Sequence, residues 1–167
     1  MGGRIVADYF ASLGFTRLAC VCGPEDHPRM ADRLQGFTEG MRAHNIALPP
    51  HWLIRAELTM QGGLAAARAL LEQWPEPPQA IFALSDIMAI GLLHGLHDAG
   101  LEIPGDVSVV GYDDIEMAAH TFPPLTTVRQ PAAEIGAAAA RAVIGFLDAA
   151  TPLPKRVTLT PELVLRQ

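Results

Sequence analysis

Three observations predict an α/β fold: a parallel sheet flanked by helices on both faces. Apolar spacing alternates along the chain between short continuous runs and a three-and-four rhythm. The runs are uninterrupted, as strands buried on both faces require. Glycine, proline or capping residues stand at the joints. Strands separated by helical segments make βαβ units, whose crossovers place helices on each side of one sheet.

In chain order, residues 3–13 read as a helix ending at Gly14, a residue suited to the left-handed position after a helix. Arg17 to Cys22 is a short buried strand stopped by Gly23-Pro24. From Arg29 to His44 a helix places Met30, Leu34, Phe37 and Met41 on one face. Trp52 to Ala56 is a second strand, followed by a helix over roughly 62–74 that ends before Pro75. Ala80 to Leu84 is a third strand, after which Ser85 and Asp86 supply capping chemistry for a helix from Met88 to Ala99, closed by Gly100.

Val107 to Val110 is a fourth strand, and Leu125 to Val128 a fifth. Pro131 opens an alanine-rich helix reaching about Asp148, broken by Pro152 and Pro154. Val157 to Leu165 is extended, and Pro161 within it points to an edge or a crossover.

Bulk properties narrow the function. Half of the 167 residues are hydrophobic, a composition that folds rather than one that stays disordered. The formal net charge is −6 and no dense Lys/Arg run occurs, which disfavours a free-standing DNA-binding module, since phosphate neutralisation needs clustered cations. No apolar run is long enough to span a bilayer, and the first residues lack the apolar core of a secretory signal, so a cytoplasmic protein without membrane partners is expected. Cys20 and Cys22, two apart in a strand, share a face and read as core thiols; a paired-thiol redox or metal site lacks a second ligand pair.

Open α/β sheets bind ligands beyond the carboxyl ends of their strands. Three such ends carry polar groups: Gly23 to His27 leading into the helix with Arg33, then Ser85-Asp86, then Gly111-Tyr112-Asp113-Asp114. An arginine, a hydroxyl and carboxylates at one rim suit a polyhydroxylated or acidic small molecule. Each also has a simpler reading: Ser85 and Asp86 as helix caps, Asp113-Asp114 as a turn, Arg33 as a solvated helix residue. Enzyme signals are weak. There is no dinucleotide or phosphate-loop glycine pattern and no nucleophile elbow. His94 and His97, three apart on one helix, lack a third metal ligand, so neither metal nor cofactor is called for.

Five ordered segments carry a family pattern. Ala80 to Gly91, with Ser85-Asp86 followed by Met88-Ala89 and Gly91, resembles a characteristic segment of the LacI/GalR transcription regulators. So does Gly100 to Asp114, with Ile103-Pro104, Asp106-Val107-Ser108-Val109-Val110 and Gly111-Tyr112-Asp113-Asp114. Pro123 to Pro131, and upstream Leu13 to Ala19 and Arg33 to Phe37, are similar to further segments in the same order. The resemblance covers essentially the whole chain.

It implies a periplasmic-binding-protein-like effector domain of two lobes, with residues 1–124 forming the C-terminal lobe. Residues 125–150 would belong to the other lobe and 151–167 would return. By motif position it makes Arg33 and Asp113 ligand-binding residues, puts Ser85 where an asparagine often stands, and Leu58 where an aromatic often stacks on the ligand. Serine is shorter than asparagine and leucine offers no aromatic face, which weighs against the usual monosaccharide. The implied partners are a small polar effector, sugar-like or nucleoside-like, a second copy of the chain, and operator DNA reached only through a helix-turn-helix outside this chain. Pairing would use Ile90, Leu93, His94, His97, Met117 and Phe122. The competing function, a solute-binding protein for sugar uptake, predicts a secretory signal; an enzyme comes third.

Overall fold

The computed structural model describes residues 1–73, 77–147 and 156–166. Its elements are α1 (Gly2–Ser12), β1 (Leu18–Cys22), α2 (Pro28–Ala43), β2 (Leu53–Arg55), α3 (Met60–Glu72), β3 (Ala80–Ala83), α4 (Asp86–Asp98), β4 (Ser108–Asp113), β5 (Thr126–Arg129), α5 (Ala132–Leu147) and β6 (Glu162–Val164). The six strands form one sheet in the order β2-β1-β3-β4-β5-β6. Every pairing is parallel except that of β6, which runs antiparallel along β5 at the edge.

The period of two in the strands divides the core. Leu18, Cys20, Cys22, Phe82 and Leu84 point to the face covered by α1 and α2, where they meet Phe10 and Phe37. Ala19, Val21, Ile81, Ala83 and Val109 point to the face covered by α3 and α4, against Ala67, Leu92 and Leu96. Cys20 and Cys22 therefore share one face as free, buried thiols. Burial pushes both thiols up from their ordinary value, which keeps them protonated near neutrality.

Helix packing explains where the elements begin. At Gly63 an added Cβ would meet the Met88 carbonyl, and at Gly91 that of Met60, so α3 and α4 approach backbone to backbone. The Thr59 side chain caps α3 by accepting from the Gly62 N–H at 3.0 Å, two residues earlier than the apolar pattern predicts. Gly14 and Gly100 follow α1 and α4 with φ of 75° and 83°, as their positions predict.

One strand runs longer than expected. β4 continues past Val110 to Asp113, because Gly111, Tyr112 and Asp113 go on pairing with Thr127, Val128 and Arg129. Thr126–Arg129, at the start of the segment expected to belong to the other lobe, pairs with β4 as the fifth strand of this sheet. α5 has no buried residue, and Ile135, Val143, Ile144, Phe146 and Leu147 are exposed on it. The helix expected over 62–74 ends at Glu72, whereas Pro75, the expected breakers Pro152 and Pro154, and the helix end expected at Asp148 lie outside the described residues.

Candidate functional site

At the carboxyl edge of the sheet, α2 and β4 bring Arg33 and Asp113 together. The Arg33 side chain is buried (8% exposed) and the Asp113 side chain partly so (31%). Arg33 NH2 donates to Asp113 Oδ1 at 2.7 Å, and NH1 donates to the Leu84 carbonyl at 2.5 Å. The guanidinium lies 3.8 Å from the centroid of the Tyr112 ring, a cation–π stack whose other neighbour is the start of α1, since a Cβ on Gly2 would meet the Tyr112 hydroxyl. Two of the four residues expected to bind ligand thus form one rigid unit.

Ser85 and Leu58 stand differently. The Ser85 hydroxyl accepts from the Met88 N–H at 3.4 Å and caps α4, in keeping with the simpler reading. Leu58 is half buried between the two core clusters and packs beside Gly23 at the end of β1. At the N-cap of α2, His27 Nδ1 is buried without a hydrogen-bond partner among the described residues.

Asp86, next to Ser85, is fully buried and does more than cap. Its Oδ1 accepts from Thr127 Oγ1 at 2.5 Å and its Oδ2 from the Ile115 N–H at 2.9 Å, so it staples α4 to β5 and to the loop after β4. Burial pushes its carboxyl up, helped by the negative Asp113 and Asp114, against the hydrogen bonds that favour the charged form.

Asp114 faces away from Arg33. Its Oδ2 accepts from Arg129 Nε at 2.5 Å and its Oδ1 from Arg166 NH2 at 2.6 Å, while Arg129 NH1 reaches Glu162 at 2.9 Å. Burial alone would push the Asp114 carboxyl up, but the hydrogen bonds and charges of Arg166 and Arg129 together outweigh it and hold the group below the usual carboxylate range. A cavity of about 530 Å³ opens here, lined by Asp113, Asp114, Arg129, Gln130, Thr160 and Glu162 among others.

The residues expected at a dimer contact mostly gather elsewhere. Ile90, Leu93, His94, His97 and Phe122 line one groove of about 690 Å³ together with Met60 and Leu64. Met117 is exposed on the short turn at Glu116–His120 but is not part of that lining. Among the described residues no cluster of His, Cys, Asp and Glu could hold a metal ion, and no helix is long and apolar enough to cross a membrane.

Sequence reasoning passed over Tyr112, Gln130, Arg129 and Arg166 as site residues. Tyr112 and Gln130 both stand inside the recognised segments, so motif position could have flagged them. Arg166 bonds to Asp114 across 52 residues, and nothing local signals that pairing.

Comparison with known proteins agrees with this fold. The model of the periplasmic binding protein-like domain family matches residues 7–167. The ribose operon repressor of Escherichia coli strain K12 is 37% identical over 166 residues, which are 99% of this chain and 50% of that protein. The chain thus spans about half the length of that curated relative. The crystal structure of a LacI-family regulatory protein from Chloroflexus aggregans superposes with a TM-score of 0.94 at 36% identity, covering 99% of this chain and 59% of the other. A dimeric Lac repressor with a C-terminal deletion gives a TM-score of 0.91 at 25% identity, covering 99% and 59%.

Proposed function

The chain belongs to the LacI/GalR family of transcription regulators, within their periplasmic-binding-protein-like effector domain, and we propose that it is the effector-sensing and dimerising portion of such a regulator. The ligand is a small polar molecule, sugar-like or nucleoside-like. The observation that carries this reading is the pairing of buried Arg33 with the partly exposed Asp113 at the carboxyl edge of the sheet, where open α/β folds take ligands. Asp113 is an acceptor for ligand hydroxyls, and the Arg33 N–H groups not spent on Leu84 and Asp113 are donors. By motif position Ser85 and Leu58 complete the set in this reading, Ser85 with its hydroxyl already engaged in the cap.

Residues 1–124 with β5 constitute one lobe in this reading. The path from β5 into α5, and the return at β6, are the crossings to a second lobe, and the exposed apolar residues of α5 support a partner surface there. Ligand between the lobes changes their angle and so the affinity of a helix-turn-helix, outside this chain, for operator DNA; this is a two-state coupling between distinct sites. A second copy packs on the groove of Ile90, Leu93, His94, His97 and Phe122. A solute-binding role in sugar uptake is not favoured, because the matched relative is a repressor.

Calorimetric titration of the chain with D-ribose and a panel of ribonucleosides tests the reading. Saturable heat that Asp113→Asn abolishes is the expected result. No heat at millimolar ligand, or binding that ignores Asp113→Asn, overturns it.

A further inference from the structure

Asp113 receives donors from two separate elements. Arg33 approaches from α2, and the side-chain amide of Gln130 donates to the same Oδ1 at 2.7 Å. Gln130 sits one residue past β5 and directly before Pro131, where the chain turns into α5. Only the NH2 end of an amide can face a carboxylate, so its Oε1 is turned away and has no partner among the described residues.

An aspartate held by one arginine can still rotate about its last bond, because that torsion is broad. Two donors on Oδ1 fix the plane of the carboxylate. Oδ2 then receives only a 3.4 Å contact from Arg33 NH1 and keeps acceptor capacity for a ligand hydroxyl.

We propose that Gln130 is a positioning residue for the effector carboxylate: it sets Asp113 in the orientation that leaves Oδ2 open, and it ties the passage from β5 to α5 to that carboxylate. The proposal rests on the effector reading above. A ligand that draws Asp113 toward itself loads the Gln130 bond, and the strain passes to the one segment that leaves the sheet there. The charged and titratable groups facing Asp113 are Arg33 from α2, Asp86 from α4, and Tyr112 beside it on β4.

The test uses Gln130→Ala and Gln130→Glu in the whole chain, with two readouts. In the first, without ligand, backbone amide exchange is followed by NMR over residues 132–136, at the start of α5. Loss of the Gln130 tie to Asp113 speeds it in Gln130→Ala. In Gln130→Glu the introduced carboxylate faces Asp113, and the two repel unless they share a proton.

In the second, D-ribose affinity is measured from pH 5.5 to 8. Gln130→Ala weakens it about tenfold, the scale of one hydrogen bond to a charged group. Gln130→Glu binds poorly at pH 8 and recovers toward pH 5.5, where the shared proton restores a donor; a purely structural role would give no such recovery. Exchange at the start of α5 unchanged in both variants overturns the proposal, as does wild-type affinity for D-ribose in both at every pH. If wild type takes no D-ribose while the exchange quickens, the ligand reading fails and the positioning role stands.

Discussion

The carboxylates of Asp113 and Asp114, one peptide bond apart, serve opposite sides of the sheet edge: Asp113 pairs with Arg33 and Gln130, Asp114 with Arg129 and Arg166. Both residues have positive φ, 122° and 55°, in the region L side chains rarely adopt. Such backbone persists where surrounding bonds over-determine it, and here each side chain is anchored by two donors. The pair therefore joins the candidate effector site to the segments that enter and leave the sheet.

Arg33 and Asp113 are expected to be energetically coupled. Arg33→Met leaves the Leu84 carbonyl without its donor and Asp113 with Gln130 alone, and should cost about 2–3 kcal/mol. The figure is kept to the low end because Asp113 is partly exposed and solvent screens it. In urea unfolding, the double variant Arg33→Met with Asp113→Asn should be less destabilised than the sum of the singles by at least about 1 kcal/mol. Strict additivity would mean that the two side chains act independently.

Asp114 should make stability sensitive to acid. Its carboxyl is held below the usual range in the folded chain, so its contribution is present above the unfolded value of about 3.9 and is lost as pH falls through the lower folded value. Asp114→Asn is expected to cost about 2 kcal/mol at pH 7. The gap between the two unfolding curves should narrow as the pH drops below about 4. A gap that stays constant down to pH 3 would rule out the arginine pairs as its source.

Residues with local signals were legible in the sequence, and residues with distant partners were not. The parallel core announced itself because Ala80-Ile81-Phe82-Ala83 is apolar throughout, and Gly14 and Gly100 marked helix ends by a conformational need only glycine meets cheaply. Arg33 and Asp113 were found jointly through the strand-end rule and the family segments. The end of β4 was misjudged because apolarity stops at Gly111, while the hydrogen-bond ladder with β5 does not. β6 spans only Glu162–Val164 after Pro161, too short for alternation to declare an antiparallel partner, so the Arg166 bond to Asp114 stayed hidden.

Gly111 is expected to tolerate no side chain. Although it lies in a strand, an added Cβ would run into the Asp86 carboxylate and also meet Leu125 Cδ2 at 2.9 Å. Asp86 cannot yield, since its two oxygens hold Thr127 and the Ile115 N–H. Gly111→Ala should therefore lower stability by about 2–3 kcal/mol, the scale of overpacking a dense core, and a thermal melt measures it. Pairing it with Asp86→Ala, which removes the obstacle, should recover part of that loss relative to Asp86→Ala alone.

The proposed dimer makes a prediction about Phe122. Its side chain is 92% exposed at the rim of a groove floored by the buried Ile90 and Leu93 and edged by the exposed His94 and His97. A large aromatic left in water gains nothing in the single chain, so its removal should leave the fold intact: Phe122→Ser should change the melting stability by no more than about 0.5 kcal/mol. In a pair, the same ring would fill an apolar contact of the kind that carries most interface energy, and losing it should weaken association by about tenfold or more. Sedimentation equilibrium of both forms reads this directly, with a shift toward monomer expected for the variant. A wild-type chain that is monomeric at high concentration would remove the groove as a pairing surface.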